Sequence, residues 1–159
     1  MVKVVLFFSG ILLGAVILTF FLLMVSYRII NLKNMRINKF SLYFELFDSW
    51  LCLKENNIAV EKYFVQNDIH NIAIYGAGKV ARHLIAELKN SSINIAYLVD
   101  NNVKELLNFP IYSLAEQLPN VDCIVITATF DYENIKKKIN RITDTDVILI
   151  DDILNELTM

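Results

Sequence analysis

The chain has 159 residues, of which 55% are hydrophobic, and its formal net charge is -2. This length allows one domain with attached segments. From Asp68 onward there are 13 acidic and 8 basic residues, a net charge of -5. Because a nucleic-acid-binding domain needs a basic face to neutralise phosphates, we expect no nucleic-acid partner. The two cysteines and two histidines lack metal-ligand spacing, so no metal site is predicted.

The first element is an apolar segment at residues 4–25 that contains no charged side chain. About 20 apolar residues can cross a bilayer as a helix. The segment ends in bulky residues, unlike a signal-peptide cleavage site, so residues 1–27 are predicted to be an uncleaved transmembrane anchor. Gly10 and Gly14 have the Gly-x-x-x-Gly spacing that can bring two such helices together in a homodimer.

The flanking charges predict the orientation of this anchor. Lys3 is the only charged side chain before the apolar segment, whereas four basic residues and no acid lie between the segment and Glu45. Positively charged residues tend to stay on the cytoplasmic side of a membrane. We therefore expect a single-pass membrane protein whose C-terminal domain is cytoplasmic.

The second part, residues 28–68, is predicted to be a juxtamembrane helical segment. An apolar stripe at helical spacing indicates an amphipathic helix that could lie on the membrane, contact a partner or, as the simplest expectation, pack on the domain. Asn57 is predicted to cap a second short helix that ends near Asn67. No Pro- or Gly-rich linker follows, so we expect this part to dock. The stripe consists of Ile37, Phe40, Phe44, Phe47 and Leu51, with Tyr43 and Trp50 beside it.

The third part, residues 69–159, alternates strand and helix patterns. Its strands are continuous apolar runs, which are typical of a parallel sheet covered on both faces. We therefore predict an α/β fold: a doubly wound, Rossmann-like parallel sheet of about five strands, in an order such as 3-2-1-4-5. The predicted strands are residues 72–75, 93–99, 111–112, 122–127 and 147–150, and the predicted helices are residues 79–89, 114–118 and 132–142 with a short tail after 152.

Three helix caps are predicted in this part. Ser113 and Glu116 have the spacing of a capping box, which would start the helix at residues 114–118. Asp131 and Asp151 are predicted to cap the helices that follow them.

A glycine-rich turn after the first strand is the best candidate for a binding site. Gly76 allows a tight turn, Gly78 lets a phosphate approach the backbone, and Ala81 lets the helix pack closely on the sheet. The start of that helix offers N–H groups and a partial positive charge to an anion. Asp100 lies 22 residues after Gly78, at the end of the second strand, where a carboxylate would bind ribose hydroxyls.

Further candidates surround this turn. Lys79 and Val80 begin the helix and could contact an anion, and Asn101 could bind a ribose or a base, although it is also an ordinary turn residue. Thr127 and Thr129 end the fourth strand beside the point where ligands sit in such folds. Tyr132 and Lys136 match the Tyr-x-x-x-Lys pair of short-chain dehydrogenases, but no catalytic serine accompanies them, so we expect an ordinary helix start.

Four segments follow one another in a familiar order: Ile-Ala-Ile-Tyr-Gly-Ala-Gly-Lys-Val-Ala (72–81), Tyr-Leu-Val-Asp-Asn-Asn (97–102), Phe-Pro-Ile-Tyr-Ser-Leu-Ala-Glu (109–116) and Val-Asp-Cys-Ile-Val-Ile-Thr-Ala (121–128). Over residues 57–157 the chain resembles the Rossmann-like domain of bacterial surface-polysaccharide proteins. Similar domains stand at the N-terminus of membrane nucleotide-sugar dehydratases, polyprenyl-phosphate glycosylphosphotransferases and sugar acetyltransferases.

This resemblance implies a ligand that is NAD, a nucleotide-sugar such as a UDP-sugar, or CoA, held by Gly76, Gly78 and Asp100. No dehydratase, transferase or acyltransferase domain follows, so we expect no independent catalytic activity. The chain would then be an accessory or regulatory subunit of cell-envelope polysaccharide synthesis. The alternatives are a small NAD-dependent or nucleotide-sugar-modifying enzyme, and a non-binding scaffold that recruits a membrane glycosyltransferase.

Overall fold

The structure is a computed structural model that describes residues 1–102 and 105–159, apart from the side chains of residues 2–13 and 15. It has two compact units, residues 1–41 and residues 42–159. The pairing predicted for Gly10 and Gly14 falls partly outside the described residues.

The first helix, α1, runs without a break over Val2–Glu55. The sequence predicts an anchor and a separate amphipathic helix, but no Pro or Gly residue near residue 28 interrupts the helix. Within the described residues, the part of α1 from Val16 onward is long and apolar enough to cross a membrane, as judged by length and composition. The described side chains between residues 16 and 41 are exposed.

Asn57 ends α1 and does not begin the next helix, so the predicted N-cap is wrong. Asn57 has a φ of 56°, in the left-handed region that asparagine tolerates better than most residues. Its N–H donates to the Lys54 carbonyl, and the N–H of Ile58 donates to the Leu53 carbonyl. These two bonds are the Schellman motif, which satisfies carbonyl groups at a helix C-terminus.

The second helix, α2 (Glu61–Gln66), ends in the same way. Asp68 has a φ of 57°, and the N–H groups of Asp68 and Ile69 donate to the carbonyls of Val65 and Phe64. Two left-handed residues, Asn57 and Asp68, therefore turn the chain from α1 through α2 into the first strand.

The sheet has five parallel strands in the order β3-β2-β1-β4-β5. This confirms the predicted α/β fold and the predicted strand order. The first strand lies in the middle, and the order reverses between it and β4, which creates a crevice at the carboxyl ends of the strands. The remaining elements are β1 Asn71–Tyr75, α3 Lys79–Leu88, β2 Asn94–Val99, β3 Ile111–Tyr112, β4 Cys123–Ile126, a 3-10 turn Thr129–Asp131, α4 Tyr132–Ile139, β5 Asp146–Leu149 and α5 Ile150–Thr158.

Apolar side chains cover both faces of the sheet, because successive strand residues point to opposite faces. Ile72 and Ile74 lie in one core cluster with residues of α2, α3 and α5. Ala73 lies in the other cluster, which α4 covers through Ile135 and Ile139. Both faces are therefore dry, as the continuous apolar runs of the strands predict.

The C-terminal turns of α1 dock on this domain, but not through the predicted stripe. Leu46, Trp50 and Leu53 are buried in the first core cluster, whereas Phe44 and Leu51 are exposed. The helix therefore packs on the domain as expected, but mainly through Trp50 beside the stripe and through Leu46 and Leu53, and not through the stripe itself. The neighbouring helix face packs there instead, because it also carries large apolar residues at helical spacing.

A buried carboxylate fixes this docking. Glu87 of α3 accepts a hydrogen bond from the Trp50 indole N–H and one from the backbone N–H of Val60 at 2.9 Å. It also pairs with Lys54 at 2.6 Å, and the Glu87 side chain is only 7% exposed. One side chain thus joins the end of α1 and the start of α2 to α3.

Two other local predictions are wrong. Residues 114–116 form a turn and residues 117–118 have no regular structure, so the predicted helix is absent. Glu116 does accept the Ser113 backbone N–H at 2.9 Å, as a capping box would, but Pro119 follows too soon for a helix to continue. Asp151 lies inside the first turn of α5 and is not its cap, since that position belongs to Leu149.

Asp131 does occupy the cap position of α4, but it makes no side-chain cap bond. Its carboxylate accepts a hydrogen bond from the Asn134 side chain at 2.6 Å instead.

Candidate functional site

The glycine turn lies at the carboxyl end of β1, where the strand order reverses. Gly76 has a φ of +94°, a conformation that residues with a side chain rarely adopt. A Cβ atom at Gly76 would also lie 3.1 Å from the Thr127 hydroxyl oxygen and 3.5 Å from the Ala128 Cβ. The backbone conformation and the close approach of the neighbouring strand therefore both require glycine at this position.

Thr127 supports this turn from the end of β4. It is 4% exposed, and its hydroxyl lies 2.9 Å from each of the carbonyl oxygens of Tyr75 and Gly76. A hydroxyl has one proton, so it donates to one carbonyl at a time. The sequence predicts Thr127 as a ligand contact, whereas the structure places its hydroxyl against the backbone of the turn.

Asp100 closes the turn from the end of β2. One carboxylate oxygen accepts the backbone N–H of Ala77 at 2.9 Å, and the other accepts the backbone N–H of Asn102 at 2.8 Å. The backbone N–H of Asp100 donates to the Tyr112 carbonyl on β3. The predicted acid is thus within hydrogen-bond contact of the predicted glycine turn, and it bonds to an N–H group of that turn.

Gly78 differs from Gly76 in what surrounds it. It is the residue before α3, its backbone is extended with a φ of -87°, and no atom lies within 4 Å of a Cβ built there. The protein's own packing therefore does not require glycine at this position. The space beside Gly78 is open to whatever approaches the start of α3.

The first residues of α3 have separate roles. Lys79 is exposed, whereas the Val80 side chain is buried in the first core cluster. Val80 can therefore meet a ligand only through its backbone N–H, since the first N–H groups of a helix have no partner within that helix. Lys79 can bring an ammonium group to the same place.

Thr129 and Asn101 lie on either side of the crevice. The Thr129 hydroxyl oxygen is buried and has no hydrogen-bond partner among the described residues. A buried polar atom without a partner is costly and points to a missing contact. Asn101 has a structural role, because its side-chain oxygen accepts the Leu114 backbone N–H at 3.3 Å.

The electrostatics of this edge are acidic. Burial raises the pKa of Tyr75, and the carboxylates of Asp100 and Asp131 raise it further. Tyr75 ends β1 immediately before Gly76, so two acids lie near the glycine turn. Tyr75 and Ala77 were not predicted as site residues, and Asp131 was predicted only as a helix cap; their positions next to the glycines and at the start of α4 were the available signal.

Tyr132 and Lys136 contact each other in the first turns of α4. The Lys136 ammonium group donates to the Tyr132 hydroxyl at 2.9 Å, and this bond raises the pKa of Lys136. Residues four apart on a helix are neighbours, so the contact follows from their spacing. The ordinary helix start remains the prediction for this pair.

Residues 68–149 match the protein family described as C2185-like, N-terminal. The chain belongs to the C2185-like N-terminal family. The matched region runs from just before β1 to the end of β5 and contains the glycine turn, Asp100 and both threonines of the site. No curated protein and no solved structure matches the chain.

Proposed function

We propose that this C2185-like chain is a membrane-anchored protein that binds a nucleotide or nucleotide-sugar on the cytoplasmic side of the membrane. In this proposal it serves cell-envelope polysaccharide synthesis as an accessory or regulatory subunit, next to a membrane glycosyltransferase. The ligand is NAD or a UDP-sugar, with CoA as the third candidate.

The proposal rests on the hydrogen bond between the Asp100 carboxylate and the backbone N–H of Ala77. In doubly wound folds, ligands bind at the carboxyl ends of the strands where the strand order reverses, with phosphates at the glycine turn and ribose at the acid that ends the second strand. Here the acid and the turn are joined by a 2.9 Å hydrogen bond. A single nucleotide is long enough to reach both groups.

The surrounding residues support the same ligand class. The open space beside Gly78 and the start of α3 suit a phosphate group. The hydroxyl of Thr129 lacks a partner among the described residues, but it is buried, so a sugar or phosphate oxygen would contact it only after the end of β4 moves. The Asp100 carboxylate would repel the additional phosphate of NADP.

Ligand binding then requires one exchange of hydrogen bonds. Asp100 gives up the Ala77 N–H to a phosphate oxygen and accepts a ribose hydroxyl in its place. The protein loses one charge-assisted hydrogen bond and gains another, while the Asp100 carboxylate and the phosphate group repel each other.

Direct binding tests this proposal. The full-length chain is purified in lipid nanodiscs, its co-purifying small molecules are identified by mass spectrometry, and NAD, a UDP-sugar and CoA are titrated by calorimetry. We expect one ligand to bind and both variants to weaken it at least about tenfold, or about 1.4 kcal/mol, because Gly78→Val fills the open space beside α3 and Asp100→Asn removes the carboxylate that would accept a ribose hydroxyl.

Asp144→Asn is the matched control. Asp144 is an exposed acid in the loop before β5, at the amino ends of the parallel strands and so opposite the crevice. It should bind like the parent chain. Absence of binding for all three compounds, or equal weakening by Asp144→Asn, would contradict the proposal. Turnover of the bound compound by the purified chain would replace the accessory role with an enzymatic one.

Membrane topology needs its own test. A membrane-impermeant thiol reagent should label the exposed Cys52 in inside-out vesicles and not in intact cells. The reverse labelling pattern would place the domain on the opposite side from the one proposed.

A further inference from the structure

The part of α1 that docks on the domain has a second apolar face that the domain does not cover. Phe44, Phe47 and Leu51 are 64%, 37% and 58% exposed, and we call these three residues the α1 seam. Three side chains of the same helix segment, Leu46, Trp50 and Leu53, are already buried against the domain. Phe44 and Leu51 are therefore apolar surface beyond what the fold of one chain uses, whereas Phe47 is already partly covered by Trp50 and His83.

The spacing of the seam is that of a coiled coil. Its members are separated by three and then four residues, which are the a and d positions of a heptad. The same spacing continues backwards in the sequence to Phe40 and Ile37, which are also exposed. Forwards, the next d position is Lys54, whose ammonium group pairs with Glu87, so the apolar pattern ends there.

A groove runs beside the seam within the domain. Phe47 and Leu51 form one wall, His83 and Ala86 of α3 form the other, and its volume is about 440 Å³. The imidazole ring of His83 lies edge-on to the Phe47 ring at 5.5 Å between centroids. A groove bordered by a coiled-coil seam and a second helix has the shape that accepts another amphipathic helix.

We propose that a second copy of this chain occupies the groove, so that two α1 helices form a short parallel coiled coil. A two-fold axis along the seam would bring Phe47 of one copy against Phe47 of the other, as an interface built from one self-complementary surface requires. The N-terminal anchor supports the parallel arrangement, because two chains inserted in one membrane with the same orientation present α1 in the same direction.

The area of the seam indicates how such a dimer would be held together. Aromatic side chains bury about 150–250 Å² each when covered completely. With the exposed fractions given above, the seam would bury roughly 600 Å² over two copies, which is less than the ~1,000 Å² of an interface that forms between free chains. Confinement of both copies to one membrane raises their effective concentration, and the proposed dimer depends on this confinement.

Single-cysteine cross-linking tests the arrangement, because the chain offers two adjacent positions. Cys52 follows Leu51 and is exposed, but it lies outside the a and d positions. In the full-length chain in lipid vesicles, oxidation should cross-link Leu51→Cys in a Cys52→Ser background at least about ten times faster than it cross-links the native Cys52. Equal rates at the two positions, or no cross-linking at Leu51→Cys, would overturn the proposal.

A second measurement follows association without a covalent bond. Energy transfer between copies labelled with donor and acceptor dyes in vesicles should fall to the level of random mixing in the double variant Phe44→Glu and Phe47→Glu. Leu42→Glu adds one negative charge on α1 outside the seam and should leave the transfer unchanged. Because the seam is exposed, neither change should alter the circular dichroism spectrum.

The other possible occupants of the groove give distinct results. If the groove holds lipid, the parent chain shows only random transfer and the double variant changes its tryptophan emission without changing transfer. If it holds a different protein, transfer between copies is also random in the parent chain. Either result would overturn the proposal, and neither depends on whether a nucleotide binds at the glycine turn.

Discussion

The carboxylate of Asp100 accepts the backbone N–H of Ala77 at 2.9 Å. This contact joins the end of β2 to the glycine turn and holds the edge of the crevice together. It also sets a condition for ligand binding, since any group that uses the Ala77 N–H must displace the carboxylate. Asp100 is therefore both a candidate ribose contact and a competitor for the phosphate position.

The two glycines of the turn should respond differently to alanine. Gly76→Ala should lower the free energy of unfolding by about 1–3 kcal/mol, because alanine is strained at a φ of +94° and its Cβ would lie 3.1 Å from the Thr127 hydroxyl. Gly78→Ala should change it by less than about 0.5 kcal/mol, since open space surrounds that position.

Urea denaturation of the full-length chain in detergent micelles, followed by tryptophan fluorescence, measures both changes. Equal effects at the two positions would show that the conformation of the turn differs from the one described here.

The sequence predicted the sheet well because its signals are local and strong. Each strand is a continuous apolar run, and Gly76 and Gly78 mark the turn after the first one. The predicted order of the strands followed from right-handed crossovers, which leave few topologies. The helix at residues 114–118 failed because a cap contact at Ser113 is not sufficient when Pro119 closes the segment.

The faces of α1 could not be predicted, because the sequence offers two apolar stripes on one helix. Phe44, Phe47 and Leu51 have the stronger aromatic signal, but Leu46, Trp50 and Leu53 pack on the domain. The buried face matches the apolar core of the domain, and Glu87 adds hydrogen bonds from Trp50 and Val60. That partner is 37 residues from Trp50 in the chain, so no local pattern reveals it.

The same limit applies to the candidate site. Spacing placed Asp100 at the end of β2 and Thr127 at the end of β4. It could not show that the Thr127 hydroxyl contacts the backbone of the turn while Thr129 keeps a buried hydroxyl without a partner among the described residues. Those outcomes depend on which way each strand end turns after it leaves the sheet.

Glu87→Gln should loosen the docking of α1. The carboxylate accepts hydrogen bonds from Trp50 and Val60 and pairs with Lys54, whereas a glutamine offers one acceptor oxygen and turns an N–H₂ group toward a donor. We expect the free energy of unfolding to fall by about 1–3 kcal/mol, the cost of a buried donor left without its partner.

Lys54→Gln is the informative control for Glu87, because it removes the same ion pair from its other end. The Lys54 side chain is half exposed, and exposed members of ion pairs contribute about 1 kcal/mol or less. Denaturation of both variants under the same conditions compares them. A larger loss for Lys54→Gln than for Glu87→Gln would show that the ion pair, and not the network around Glu87, fixes α1.

Asp151 should make stability depend on pH. Burial raises the pKa of Asp151 to about 6, and the Asp152 and Glu45 carboxylates add to the shift. One of its oxygens has no hydrogen-bond partner among the described residues, and Ser49 and Asn155 line the same small cavity. In the unfolded chain the pKa of an aspartate is about 3.9.

The direction of the pH dependence follows from the folded-state and unfolded-state pKa values of Asp151. Because folding raises the pKa, the protonated form is favoured in the folded state, and this group destabilises the fold progressively as the pH rises from about 4 to about 6. Asp151→Asn should therefore increase the free energy of unfolding at pH 7 by about 1 kcal/mol, after allowance for the partly exposed side chain. The increase should disappear near pH 4.

Urea denaturation of parent and variant at both pH values measures the difference, and Asp144→Asn serves as the exposed control. A constant difference between Asp151→Asn and the parent at pH 4 and pH 7 would show that ionisation of Asp151 is not its cause.

The two cysteines should differ sharply in reactivity. Burial in β4 raises the pKa of Cys123 to about 12, and the nearby carboxylates of Asp146 and Asp122 contribute to the shift. The thiolate is the reactive form, so Cys123 should resist alkylation at pH 8 while the exposed Cys52 reacts. Mass spectrometry of the native full-length chain should show one alkyl group, and Cys52→Ser should show none.

Alkylation of Cys123 should appear only in urea, at the midpoint of unfolding. The apolar neighbours of Cys123 on both sides of β4 must separate before a reagent can reach its thiol. Two alkyl groups on the native chain would mean that the centre of the sheet opens without unfolding of the domain.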